Sequence, residues 1–97
     1  MKSLGAALLV LVAPGALAAD VMKGGQIYRM HCASCHGAAG ISTMPNAPSF
    51  ARGERMMQPD PMLLGSIKKG RGAMPGFFGV LSDRDTLDVI AYMRSMR

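Results

Sequence analysis

The sequence predicts an all-α fold of short helices joined by loops. Three observations carry that prediction. Apolar residues near the C-terminus recur with a helical period, and two other segments begin or end on residues that start and stop helices. Strand patterns nowhere alternate with helical ones.

The chain has 97 residues, of which residues 1–18 read as an export signal. Lys2 gives the basic start, residues 4–13 the apolar stretch, and Pro14-Gly15 the helix break. Ala16-Leu17-Ala18 supplies the small residues of a cleavage site. The apolar stretch is too short and too interrupted for a comfortable membrane span. Residues 19–97 remain as one domain. A domain of that size stabilises poorly unless something staples its core.

The first helix is predicted over residues 20–30, with Asp20 as its cap and Val21, Gly24, Gly25, Ile27 and Tyr28 on its packed face. Each glycine costs a helix about 1 kcal/mol relative to Ala, so another helix backbone is expected close by. Residues 37–59 are punctuated by Gly37, Gly40, Pro45, Asn46, Pro48, Gly53 and Pro59. They read as irregular loop with at most one helical turn, near residues 49–57. So long a loop in a small domain wraps something.

Asp60-Pro61 reads as a helix cap followed by Pro at the first helical position. Leu63, Leu64 and Ile67 give that helix its buried stripe, and Gly70 stops it. Residues 71–81 are a glycine-rich loop. Ser82 caps the last helix, with Asp83 and Asp85 in its first turn and Arg94 and Arg97 in its last, as the helix dipole favours. Val89, Tyr92, Met93 and Met96 repeat at helical spacing, and Leu87 and Ile90 widen the face.

The chemistry is concentrated in Cys32-Ala33-Ser34-Cys35-His36, which contains both cysteines of the chain. This is the C-x-x-C-H pattern of haem attachment. Each thiol adds to one vinyl group of a single haem, and the adjacent histidine faces the iron. A zinc site would need two further Cys or His ligands, and only His31 remains outside the motif. A thioredoxin-like dithiol would need a βαβ framework that the chain lacks. One haem c is therefore expected, covalent through Cys32 and Cys35. It supplies the apolar plate that the small core needs, so the apoprotein is expected to be largely unfolded. Covalent attachment takes place outside the bacterial cytoplasm, which agrees with the signal and points to the periplasm.

A second axial ligand must come from the other face. His31 lies on the attachment turn itself and cannot easily cross, so a partly exposed neighbour is expected there. Residues 19–97 hold nine methionines, most of them expected as core filler. Met74 is the candidate ligand, in Gly70-Arg71-Gly72-Ala73-Met74-Pro75-Gly76-Phe77. Glycines there let the backbone approach a haem, and Pro75 stiffens the loop. Met44, before Pro45, is the alternative; Met56, Met57 and Met62 sit where filler is expected. The predicted iron ligands are His36 and Met74, and no catalytic residue is predicted.

With these residues in place, the chain resembles the small monohaem class I c-type cytochromes over essentially all of residues 20–97. Gly24 and Tyr28 match that family's N-terminal helix, Cys32 to Gly37 its haem site, Gly72 to Phe77 its methionine loop, and Val89-Ile90-Ala91-Tyr92-Met93 its C-terminal helix. The resemblance implies the class I fold, with Gly24 where the first and last helices cross and Tyr92 nearby. It also implies that Pro45 or Pro48 accepts a hydrogen bond from the proximal histidine. A narrower likeness lies in Met44-Pro45-Asn46-Ala47-Pro48-Ser49-Phe50-Ala51 and Ile67-Lys68-Lys69-Gly70-Arg71-Gly72. These are similar to periplasmic cytochromes of denitrifying bacteria associated with cytochrome cd1 nitrite reductase.

The expected function is therefore one-electron carriage without enzymatic turnover, by a monomer serving nitrite reduction. Alternatives are exchange with a haem d1 maturation enzyme, or a haem sensor or enzyme with a displaceable Met. Removing Lys2 with the signal leaves ten basic against six acidic side chains, a formal +4. That balance suggests an acidic protein partner rather than nucleic acid. Arg52, Arg55, Lys68, Lys69 and Arg71 are the cations expected to steer it.

Overall fold

The computed structural model describes residues 18–97, so the predicted export signal lies outside the described residues apart from Ala18. Four helices follow in order: α1 (Val21–His31), α2 (Ala33–His36), α3 (Asp60–Lys69) and α4 (Asp83–Arg94), with a 3₁₀ turn at Phe50–Arg52 between α2 and α3. Among the described residues there is no strand, only an isolated bridge between Arg71 and Met74. The fold is all-α, as the sequence predicts. No helix among the described residues is long and apolar enough to cross a membrane.

Helix α1 starts where Asp20 accepts the Lys23 N–H at 3.0 Å. The Asp20 N–H itself donates to the Asp88 carboxylate of α4 at 2.8 Å, so the cap also ties the first helix to the last. Helices α1 and α4 form the principal packing unit of the domain, and α3 leans on α4. At their crossing a Cβ on Gly24 would overlap the Asp88 carbonyl and lie 3.1 Å from the Val89 Cα. The glycine that weakens the helix is what lets the helices meet. Tyr92 covers the neighbouring Gly25 rather than Gly24, with its ring 2.9 Å from where a Cβ would stand.

Helix α3 departs from its predicted start by one residue. Pro59, in extended backbone, occupies the cap position, and Asp60 is the first helical residue. The Asp60 carboxylate does not cap because Arg94 of α4 takes it, with Nη2 at 2.8 Å and Nε at 3.1 Å. Arg94 also donates to the Met56 and Gln58 carbonyls, each at 2.7 Å, and so clamps the preceding loop to α4. Helix α3 ends at Gly70, whose φ of 80° admits no ordinary side chain without strain. Ser82 caps α4 by accepting the Asp85 N–H at 3.0 Å.

The core runs through Tyr28 and Ile27 of α1, Phe50, Leu63 and Ile67 of α3, Phe77, and Val89, Ile90 and Met93 of α4. Leu64, Leu87, Tyr92 and Met96 pack at its margin, partly buried. Four polar side chains are buried with them: His36, Ser49, Thr86 and Asp88. Thr86 donates to the Ser82 carbonyl at 2.9 Å, and Asp88 accepts from Asp20. Among the described residues, no buried side-chain nitrogen or oxygen lacks a partner.

Candidate haem site

The attachment residues sit where α1 passes into α2. The Cys32 N–H still bonds to Tyr28 O at 2.8 Å, and the Cys35 and His36 N–H groups both turn back onto Cys32 O, at 3.3 and 3.0 Å. This short turn places both thiols and the imidazole together. Both cysteines are free and partly buried. Burial, reinforced by the neighbouring Cys35, pushes the Cys32 thiol up to about 11, so it stays neutral at physiological pH.

His36 is 7% exposed. Its Nδ1 lies 3.0 Å from the Pro48 carbonyl. A carbonyl only accepts, so Nδ1 carries the proton and Nε2 is the ring nitrogen left to face a metal. Of the two candidate prolines, Pro48 is the partner. The turn bearing His36 is closed behind it by Gly37, whose carbonyl accepts the buried Tyr28 hydroxyl at 2.7 Å.

Met74 belongs to a loop folded back on the end of α3. Arg71 and Met74 exchange backbone hydrogen bonds at 3.0 and 2.9 Å, and the Phe77 and Phe78 N–H groups bond to Ile67 O and Lys68 O at 3.0 and 3.1 Å. The Met74 side chain is partly buried and packs on the same core as Cys32 and Ala33. His31 is partly exposed, as expected, and its ring meets the edge of Phe77 at 5.6 Å. It thereby joins the attachment segment to the methionine loop.

The remaining methionines divide differently from expectation. Met44 is 40% exposed, and its N–H lies on the Cys35 carbonyl at 3.3 Å. It belongs to the attachment side rather than the opposite one. Met56 is buried filler, but Met57 and Met62 are exposed. Met57 lies between the two carbonyls that Arg94 fixes, and Met62 precedes the buried stripe of α3, on its solvent side.

These residues fit a haem: two free thiols on one turn, an imidazole with an unused Nε2, and an apolar wall that includes Met74. They do not fit zinc, since no group of three or more His, Cys, Asp or Glu converges among the described residues.

The expected cations are not equivalent. Lys68 is paired with Asp83 at 2.9 Å and lies 5.5 Å from the Phe78 ring centroid, so its charge is largely answered locally. Lys69 and Arg71 are exposed. Arg52 and Arg55, also exposed, border an open groove of about 600 Å³ that includes Glu54, Ser42 and Pro48.

Sequence reasoning missed Phe50, which stacks on His36, and the Arg94 clamp. Both depend on contacts between distant segments. The only local signal was the 3₁₀ turn at Phe50, directly after Pro48-Ser49.

Likeness to known proteins agrees with this geometry. The family described as cytochrome c oxidase, cbb3-type, subunit III matches residues 19–93. A cytochrome c6 of Thermosynechococcus vestitus is 36% identical, covering 90% of this chain and 80% of the relative. A cytochrome c4 of Pseudomonas aeruginosa is 38% identical over 99% of this chain, which spans 49% of that longer protein. The solved cytochrome c6 of the diatom Phaeodactylum tricornutum has a TM-score of 0.66 at 30% identity, covering 78% of this chain and 92% of the other. Proteins of this kind carry one covalently bound haem c, and here Cys32 and Cys35 supply its two thiols. Fold, motif and likeness together show that the chain belongs to the small class I c-type cytochromes, electron carriers rather than enzymes.

Proposed function

We propose that this protein shuttles single electrons in the periplasm, with His36 and Met74 as the axial ligands of its haem c. The observation that carries this reading is the His36 ring. It is buried beside both thiols, with Nδ1 committed to Pro48 O and Nε2 left for iron. The haem, when bound, supplies a one-electron iron couple. Pro48 O holds the proximal proton and raises the basicity of His36, while Met74 offers a thioether from the loop stitched to α3. A His/Met pair gives a higher potential than two imidazoles, and it fills both axial positions so that substrate has no open site.

The ferric absorption spectrum tests this. A weak band near ~695 nm marks Met–iron coordination. It is expected in the native holoprotein and in Met44→Ala, and absent in Met74→Ala. A high-spin ferric spectrum with uncontested CO binding would instead favour a sensor.

Export and cleavage after Ala18 follow from the pattern of residues 1–18. The mass of holoprotein recovered from the periplasm should correspond to a chain beginning at Ala19. The exposed cations Lys69, Arg71, Arg52 and Arg55 favour an acidic redox partner, with exchange rates that fall as salt rises. The loop likeness described above makes cytochrome cd1 nitrite reductase the first partner to try. Anaerobic mixing with the reduced holoprotein tests it: oxidation at a rate comparable to turnover supports a role in denitrification, and no exchange removes it.

A further inference from the structure

The His36 imidazole is held at one point by Pro48 and across its face by a second ring. Phe50 stacks on it with centroids 4.5 Å apart and planes 23° from parallel. Phe50 is itself buried, and Tyr28 meets it edge-on at 6.5 Å and 67°. Tyr28 has no exposed surface, and its hydroxyl donates to Gly37 O, one residue beyond His36. The contacts form a closed circuit through His36, Phe50, Tyr28 and Gly37.

We infer that Phe50 is a positioning residue that fixes the plane of the His36 ring, and with it the orientation in which the imidazole meets the iron. This rests on His36 being the iron ligand. A histidine's second side-chain torsion is broad rather than confined to narrow wells. A carbonyl oxygen also accepts over a wide range of directions. The Pro48 bond alone therefore fixes the tautomer and one atom, and leaves the plane loosely set. A flat partner in face contact removes that freedom, which an aliphatic side chain of similar bulk would not do.

The turn carrying Phe50 is correspondingly rigid. The Ser49 N–H donates to Glu54 Oε1 at 2.8 Å, and the Ser49 hydroxyl accepts the Ser42 N–H at 2.9 Å. Gly53, at φ 80°, closes the turn with its N–H on Phe50 O. These bonds, all within residues 42–54 of the long loop, brace Phe50 where it faces the imidazole. Groups behind a ligating histidine orient it and tune the metal. In a low-spin ferric haem the two axial ligands together set the directions of the magnetic axes, so with Met74 unchanged a turn of the imidazole plane would alter the haem-methyl proton shifts and their order.

Proton NMR of the ferric holoprotein tests the assignment. Phe50→Leu should change the order of the haem-methyl shifts while the low-spin absorption spectrum persists, and Phe50→Tyr should keep the native order. A native order in Phe50→Leu overturns the proposal. Should Phe50→Leu fail to fold, Phe50→Met takes its place with the same expectation, and in the unmodified protein the paramagnetically broadened ring protons of His36 should stay one set of lines with no further exchange broadening across temperature. Exchange broadening of those lines means a freely turning ring and overturns it. The ligand reading fails by a different result, an unchanged ferric spectrum in His36→Ala.

Discussion

The two sides of the haem site are built differently. On the histidine side the ring is bonded through Nδ1 to Pro48 O, stacked on Phe50, and backed by the Tyr28–Gly37 hydrogen bond. On the methionine side the loop is stitched by backbone bonds to Arg71, Ile67 and Lys68, but the Met74 side chain meets only packing. Ala73, Pro75 and Gly76 around it are exposed. A thioether has no hydrogen to donate and accepts weakly, so nothing comparable to the Pro48 bond can fix it. One proposed ligand, His36, is preorganised by its surroundings, and the other, Met74, is held by the loop that carries it.

The largest expected effect comes from removing each proposed ligand in turn. His36→Ala should abolish low-spin holoprotein. Met74→Ala should leave the haem attached but ferric high-spin, as absorption spectra of the purified variants would show. Equal loss of holoprotein in both would erase the contrast.

Denaturant titration should separate the two sides without any substitution. Local opening draws on the regions with fewest buried contacts. The ~695 nm band should therefore disappear at a lower urea concentration than the far-UV dichroism. Coincident transitions would mean that both sides open together.

Tyr28→Phe probes the histidine side more gently. It removes one buried hydrogen bond, but Gly37 O still accepts the Gly40 N–H at 3.1 Å. The loss of unfolding free energy should be about 1 kcal/mol, the net value of an ordinary hydrogen bond. A loss several times larger in urea unfolding would show that the hydroxyl anchors more than this carbonyl.

The smallest effect belongs to a pair remote from both ligands. Lys23 and Asp85 lie 3.0 Å apart at the α1–α4 crossing. The hydrogen bond and charge of Asp85 raise the Lys23 ammonium above its ordinary range, and the Lys23 hydrogen bond lowers the Asp85 carboxyl below its own. The Asp85 contribution is present above the unfolded carboxylate value and fades as pH falls through the depressed folded one. The Lys23 contribution is full below the unfolded amine value and fades as pH rises through the raised one. Lys23→Ala should slightly lower Tm at neutral pH, with the deficit shrinking in acid and in high salt. Neither the ~695 nm band nor the haem-methyl pattern should change; a change in either would tie the crossing to the ligands.

Much of this was legible in the chain itself. Asp20, Gly70 and Ser82 mark helix ends through bonds within a few residues, and the haem motif is a local pattern. What escaped depended on tertiary partners. Asp60 reads as a cap until Arg94, 34 residues away, claims its carboxylate. Pro45 and Pro48 are equivalent as sequence, and only the fold brings one carbonyl to His36. Lys68 looks like a free steering charge until Asp83 meets it. Met57 and Met62 share a residue type with buried Met56, but their places on the loop and on α3 leave them in solvent.

The crossing at Gly24 has a consequence for how the domain tolerates change. It joins the first helix to the last directly, while residues 37–59 are tied in separately, by Phe50 and Met56 in the core and by Arg94 on the Met56 and Gln58 carbonyls. Closing a longer loop costs little, about 0.6 kcal/mol for each doubling of length. Exposed stretches of residues 37–59 between these anchors can therefore gain or lose length with small effect on the crossing, provided that Pro48 and Phe50 still reach His36. The outer surface of this loop is free to be remodelled while the surroundings of His36 stay as they are.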